Sequence, residues 1–465
     1  MTDVPEADFD VEKEGQVEII GWLYQYYNEE PKDAAFKKSK YTRAEIPAVT
    51  QLFTPDWIVK YLVENSLGRF WINRLQAKGD TRTAKEIAEV FNWRYFMPAA
   101  EQTSEIQLQI KNDDKELNKL ELEDITLIDP SMGSGHILVY AFDVLMQLYE
   151  SEGYGRSVAA RSSLKNNLFG LDIDTRAYQL TYFALIMKAR QYDPRALTRT
   201  VNINVFDVPQ LDWTTEDQKL LVDSVKTTVG TQRNLATLTD LFDDGDELGS
   251  VISFPADFDW NGLRGLTVSR SDDGQLLLDS SRLADLQLQL SDALSVGKIL
   301  SNHYTVAVTN PPYMGSGKMP SALQKFVKKN FPNSKSDLFA VFMERLHQLA
   351  AQAGYYAMIT QHQWMFLSSF ENLRSLLHKD TLINLAHLGT RAFEEIGGEV
   401  VQSAAFVFKN DQINAYLGTY ERLVDFESQQ KKEEAFLNAV FNPQIEYVYR
   451  TNQANFEKIP GSPIA

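Results

Sequence analysis

Tyr304-Thr-Val-Ala-Val-Thr-Asn310-Pro311-Pro312-Tyr313 is the stretch from which the fold can be read. The apolar, β-branched run reads as a short buried strand. It stops at Asn310 because two prolines follow. Neither proline donates a backbone N–H, and each steers the residue before it away from the helical region. The result is a rigid, extended turn at the carboxyl end of a strand. In open α/β sheets, ligands bind at that end.

The turn suits a planar amine. An exocyclic amino group on adenine is a poor nucleophile, because its lone pair is delocalised into the ring. Methylating it requires the nitrogen to become pyramidal and to gain positive charge. The Asn310 side-chain oxygen and the Pro311 carbonyl offer acceptors for both N–H hydrogens. Pro312 fixes the direction of that carbonyl. Tyr313 gives a base a flat face to stack on, worth roughly 1–3 kcal/mol. Fixed dipoles and positioning supply the gain, so no side chain with a shifted pKa is required. Taken alone, the same four residues read equally well as a proline turn that merely ends a strand.

Upstream segments shift that balance. Ile125-Thr-Leu-Ile-Asp129-Pro-Ser131-Met-Gly133-Ser-Gly135 is a strand ending in an acid, then a glycine turn, then an apolar helix over 136–149. Glycines let the backbone come close to a nucleoside. The full dinucleotide fingerprint is missing, and Asp129 would repel a pyrophosphate. An acid there fits a cationic ligand such as S-adenosylmethionine, which carries an ammonium and a sulfonium. Leu168-Phe-Gly-Leu-Asp172-Ile173-Asp174 is a second strand ending in an acid. Asp172 is placed for ribose hydroxyls, and Asp174 reads as the N-cap of a helix over 175–190. A third strand, 201–206, ends at Asp207, either a turn residue or an acceptor for the cofactor's adenine amine. Earlier still, Phe53-Thr54-Pro55 precedes an amphipathic helix, with Thr54 as N-cap and Pro55 as first helical residue. A sharper reading puts Phe53 and Thr54 beside a ligand's amino-acid tail.

Further strands over 354–360, 382–388 and 400–408 bring the number to seven. Strands alternating with helices predict an α/β fold with a doubly wound, mostly parallel sheet. The last pair is joined too briefly for a helical crossover, so one of its strands is antiparallel. Residues 1–124 read as a helical amino-terminal domain, and 125–410 as the catalytic domain. Within the latter, 208–300 is a mainly helical insertion. Residues 411–465 read as mixed helix and loop, the start of a truncated carboxyl-terminal region.

Composition adds exclusions. The 465 residues are 44% apolar, ample for a core, and contain no cysteine, so disulfides and thiolate chemistry are ruled out. The six histidines show no close ligand spacing, and no metal is expected. No apolar run approaches the ~18 residues of a membrane span. The acidic start lacks the shape of a signal peptide, so a cytoplasmic protein is expected. The net charge of −17 counts against nucleic-acid binding by the chain as a whole. Residues 316–335, however, hold Lys318, Lys325, Lys328, Lys329 and Lys335 without an acid. That run is either a solvated helix face or a phosphate-contacting surface.

Taken in order, Phe53-Thr54-Pro55, Asp129 to Gly135, Gly170 to Asp174 and Asn310 to Tyr313 resemble the motif series of amino-methylating DNA methyltransferases of the gamma order. More narrowly, Ile19 to Tyr27, Gln51 to Trp57 and Gly397 to Gln402 resemble the adenine-specific methyltransferase of BREX phage-defence systems, the PglX type. The resemblance implies a class I methyltransferase sheet and S-adenosylmethionine as cofactor. Phe53 and Thr54 would line its methionine end, Asp129, Gly133 and Gly135 its central loop, Asp172 its ribose and Asp207 its adenine. Ser131, Ile173 and Asn310 complete the expected cofactor set. Asn310 to Tyr313 would hold an adenine flipped out of double-stranded DNA, with Phe393 against the base; from the basic run, Lys318 and Lys325 are expected on the DNA. Other BREX proteins are expected partners. Proteins of this type are usually far longer, so a fragment, or a need for a partner in site recognition, is expected. Alternatives are the methyltransferase of a restriction–modification system, methylation of a protein glutamine amide, and a cofactor-binding interaction module of a defence complex. Nuclease activity is not expected.

Overall fold

The computed structural model describes residues 30–32, 34–50, 52–196, 202–225, 227–267, 279–393 and 401–464. The motif at 19–27 and residues 397–400 lie outside this set. One mixed sheet of nine strands runs through the described residues, in the order β3-β2-β1-β4-β5-β7-β6-β8-β9. In chain order the strands are β1 (Leu127–Asp129), β2 (Leu168–Asp172), β3 (Asn204–Asp207), β4 (Tyr304–Thr309), β5 (Ala350–Gln361), β6 (Thr381–Gly389), β7 (Ser403–Lys409), β8 (Leu417–Arg422) and β9 (Val448–Asn452). From β3 across to β5 all neighbours are parallel. β7 runs antiparallel to both β5 and β6, and β9 to β8, while β6 and β8 are parallel.

All seven expected strands are present, and the antiparallel one lies in the last expected pair. The sheet is larger and more mixed than expected, because β8 and β9 extend it within residues that read as helix and loop. Leu417-Gly-Thr-Tyr-Glu-Arg422 carries no apolar alternation that would mark it as a strand. Pairing with β6 is what organises it.

Both faces of the sheet are covered. Along β4, Val306 and Val308 enter one core, and Tyr304 and Ala307 the other. All six residues of β4 are buried, which is why its sequence is a continuous apolar run rather than an alternation. On the first face lies α1 (Asp56–Val63), continued by a π turn at Glu64–Gly68 into α2 (Arg69–Ala77). α3 (His136–Ser151) and α4 (Thr175–Tyr192) follow β1 and β2. Asp174 caps α4 as expected, its Oδ1 accepting from the Arg176 N–H at 2.9 Å.

A buried polar network fastens α1 and the π turn to β6. The Tyr61 hydroxyl donates to Asn384 Oδ1 at 2.8 Å, and Asn384 Nδ2 donates to Asn65 Oδ1 at 3.0 Å. Arg69 and the Met97 N–H also donate to that Asn65 oxygen.

The insertion packs on the opposite face through Thr215–Asp223, Val229–Phe242 and α5 (Asp279–Ser301). After β4 the chain makes an excursion that carries α6 (Ser321–Asn330) and returns to α7 (Leu338–Leu349). Its neck is closed by Leu338 N–H to the Met314 carbonyl at 3.0 Å, and by Met314 N–H to Asp337 Oδ1 at 3.1 Å.

Candidate active site

The carboxyl ends of β1, β2 and β4 open onto a cleft lined by Asp129, Asp172 and Asn310 among others. It sits where the strand order reverses, with β2 on one side of β1 and β4 on the other. Such switch points are where open α/β sheets take ligands.

Asn310 is oriented by a distant segment. Its Nδ2 donates to the Leu52 carbonyl at 2.9 Å and to Thr54 Oγ1 at 3.0 Å. A carbonyl can only accept, so the amide nitrogen must face Leu52 and the oxygen must face the other way. Asn310 Oδ1 is buried and takes no hydrogen bond from any described residue. Thr54 is thus occupied by Asn310 and does not cap α1; Pro55 is the N-cap and the helix begins at Asp56. This corrects the local reading of Thr54.

The first carboxylate is tied to the same turn. Thr309 Oγ1 donates to Asp129 Oδ1 at 2.6 Å, and the Ser131 N–H donates there at 3.1 Å. Ser131 Oγ reaches Thr309 Oγ1 at 2.6 Å and the Asn310 carbonyl at 3.2 Å. Asp129 is 1% exposed, and burial pushes its pKa up to about 7. Asp172 receives the Gly133 N–H on Oδ2 and the Asp174 N–H on Oδ1, both at 2.9 Å. Burial raises its pKa to about 6. Each Asp172 oxygen keeps a lone pair for a further donor.

Phe53 stacks on His136, ring centroids 4.8 Å apart and 23° between planes, which joins the Phe-Thr-Pro segment to the start of α3. Phe53, Thr54, Ser131, Gly133, Ile173 and Pro312 line the cleft as well. Pro311 is buried and is not among the residues that line the cleft.

Other expected residues lie elsewhere. Tyr313 follows the turn but does not line this cleft. It is half-buried, its hydroxyl donating to the Ile359 carbonyl at 3.2 Å and its ring edge-on to Phe339 at 6.2 Å. Gly135, at φ 87°, forms the close approach between the glycine turn and Thr181 of α4, where a Cβ would stand 2.7 Å from Thr181 Oγ1. Asp207 lies outside the cleft lining, its Oδ2 accepting from Thr175 Oγ1 at 2.6 Å. Phe393 is corrected outright: it is 5% exposed and packed in the core, with no face free for a base. Lys318 is likewise engaged internally, donating to the Lys38 carbonyl and lying over the Tyr41 ring. Lys325, Lys328, Lys329 and Lys335 remain exposed around α6.

Sequence reasoning misses two walls of the cleft. Ile46, Pro47 and Thr50 form one, and Glu247 to Ser250 of the insertion form another. His136 reads from sequence as a surface or packing residue, although its place directly after Gly135 is the available signal. Nothing local marks Glu247 to Ser250, because their contact with β2 is purely tertiary.

Residues 166–393 match the model of the Eco57I restriction-modification methylase family. The chain is 58% identical over all 465 residues to the adenine-specific methyltransferase PglX of Lacticaseibacillus casei strain Zhang. The resemblance to PglX runs the length of the chain. It is also 39% identical to the adenine-specific methyltransferase BrxX of Escherichia coli O9:H4 strain HS, again over the whole chain. The chain spans 38% of the length of PglX and 38% of BrxX. Among solved structures, a DrdV–DNA complex aligns over 96% of this chain and 33% of its own, at 12% identity and a TM-score of 0.48. No described helix is long and apolar enough to cross a membrane.

Proposed function

We propose that this chain is the catalytic part of a cytoplasmic, adenine-specific DNA methyltransferase, moving a methyl group from S-adenosylmethionine to N6 of adenine in double-stranded DNA. The observation that carries this is Asn310 Oδ1: buried, unengaged and aimed by Leu52 and Thr54, beside a cleft holding two carboxylates. An orphaned buried acceptor costs stability unless a ligand supplies its donor.

The donor set fits the cofactor. Asp129 suits its ammonium and Asp172 its ribose hydroxyls, while Phe53 and Thr54 bound the methionine end. Bound S-adenosylmethionine supplies a methyl group activated by a sulfonium. Asn310 Oδ1 and the Pro311 carbonyl accept the two hydrogens of the target amine and draw its lone pair out of the ring. They stabilise the positive charge that grows on nitrogen, without rearranging as it grows. Flipping the base out of the duplex costs a few kcal/mol.

The likeness to PglX and BrxX supports host-DNA modification in a BREX-type defence system, acting with other proteins of that system. The Eco57I family match favours a second reading, the modification activity of a restriction–modification system. Methyl transfer from labelled cofactor to DNA by the full-length parent tests the chemistry common to both. Asn310→Ala is expected to lower it by about 10²–10³, the usual cost of one oxyanion-type contact. Undiminished methyl incorporation into adenine would sink both readings. Phage restriction with and without the gene separates them.

A further inference from the structure

We infer that the insertion is a working wall of the cofactor pocket, and that Gly249 sets the pocket's width against Ile173. The inference rests on the cofactor reading above and adds a specificity-determining contact to it. Glu247, Leu248, Gly249 and Ser250 line the cleft together with Asp172 and Ile173 of the β2 exit. Gly249 stands at φ 55°, ψ −137°, a conformation open in practice to glycine alone. A Cβ there would lie 2.7 Å from Ile173 Cγ2. Ile173 is β-branched and held between Asp172 and Asp174, so its methyl group has little room to retreat.

The wall is gripped from three directions. Behind it, Arg345 of α7 is 4% exposed and donates to the carbonyls of Ser250 and Ile252, each at 2.9 Å, and of Leu300 at 2.6 Å. Above it, Arg43 pairs with Asp244 at 2.7 Å and Asp246 at 3.1 Å. Beside it, Glu247 Oε1 accepts from the Leu323 N–H in the first turn of α6 at 2.8 Å. A merely appended module would need none of these anchors at a turn that faces the cleft. Arg345 does not itself line the cleft and acts as a positioning residue.

Calorimetric titration of the purified chain with S-adenosylhomocysteine tests this, with thermal unfolding to confirm that each variant is folded. Gly249→Ala is expected to weaken binding at least tenfold. Adding Ile173→Ala to that variant should recover part of the loss, because the colliding methyl group is gone. Arg345→Lys, which keeps the charge but loses the fork, is expected to weaken binding from behind the wall and serves should Gly249→Ala fail to fold. Wild-type affinity in folded Gly249→Ala or Arg345→Lys overturns the assignment of the insertion as a wall. Failure of Ile173→Ala to recover affinity overturns the assignment of Ile173 as the gauge. Absence of binding by the unsubstituted chain would instead remove the cofactor reading, and this inference with it.

Discussion

Asn310 and Asp129 are neighbours through Thr309 and Ser131, yet they respond to pH differently. Asn310 does not titrate. Asp129 sits at about 7 and Asp172 at about 6, both raised by burial. A carboxyl whose pKa is higher in the folded than in the unfolded state binds its proton more tightly when folded. Its contribution to stability is therefore full at acid pH and is lost as pH climbs from about 4 towards 7. Cofactor binding should run the other way, because an ammonium prefers the ionised acid. From pH 7 down to pH 6, affinity for S-adenosylmethionine should fall by up to about tenfold. Asp129→Asn should flatten that part of the profile and weaken binding at pH 7.5. A titration series across pH 5.5–7.5 checks it, and an unchanged slope in the variant would refute the role of Asp129.

At the scale of elements, the helix pair α1–α2 shows what local sequence can and cannot reveal. Its apolar spacing is legible: Trp57, Ile58, Tyr61 and Leu62 are all buried. Its polar residues are not. Glu64 accepts from the Tyr140 hydroxyl at 2.6 Å and the Tyr95 N–H at 2.7 Å, and burial raises its pKa to about 8. The stability it contributes at acid pH is lost between its unfolded value near 4.5 and about 8. Glu64→Gln keeps the shape without the charge. Its melting temperature should gain on wild type by several degrees between pH 5 and pH 8, as thermal unfolding would report. Asn384→Ala should cost about 1–3 kcal/mol in denaturant unfolding, since Tyr61 and Asn65 lose a buried partner. No window of sequence could pair Asn65 with a residue on β6. Thr54 fails for a related reason: local capping chemistry is sound, but a tertiary acceptor role takes precedence. The strand ends bearing Asp129, Asp172 and Asn310 are legible because hydrophobic runs and proline stops are local. The insertion's wall and β8 are not, because only their partners make them what they are.

For the molecule as a whole, a net charge of −17 opposes DNA, so under the proposed function attraction must be concentrated. The exposed Lys325, Lys328 and Lys329 of α6 are carried on the excursion that leaves β4 at the Asn310 to Tyr313 turn. Replacing all three with alanine in the full-length parent should weaken DNA binding at every sequence alike. It should also reduce the slope of log affinity against log salt by about 2–3, roughly one for each phosphate that no longer meets a lysine. Titrations at several salt concentrations decide the matter, and an unchanged slope would assign phosphate binding to another surface. Lys318→Ala, by contrast, should leave the slope alone, because that ammonium is held over the Tyr41 ring and on the Lys38 carbonyl.

The tether from Asn310 back to Leu52 and Thr54 also bears on how the protein matures. A ribosome releases Thr54 long before Asn310, so their contact waits on the synthesis of everything between them. Under the proposed function, a chain that has not yet made this contact leaves the Asn310 amide to rotate, and methyl transfer waits until Leu52 and Thr54 fix it.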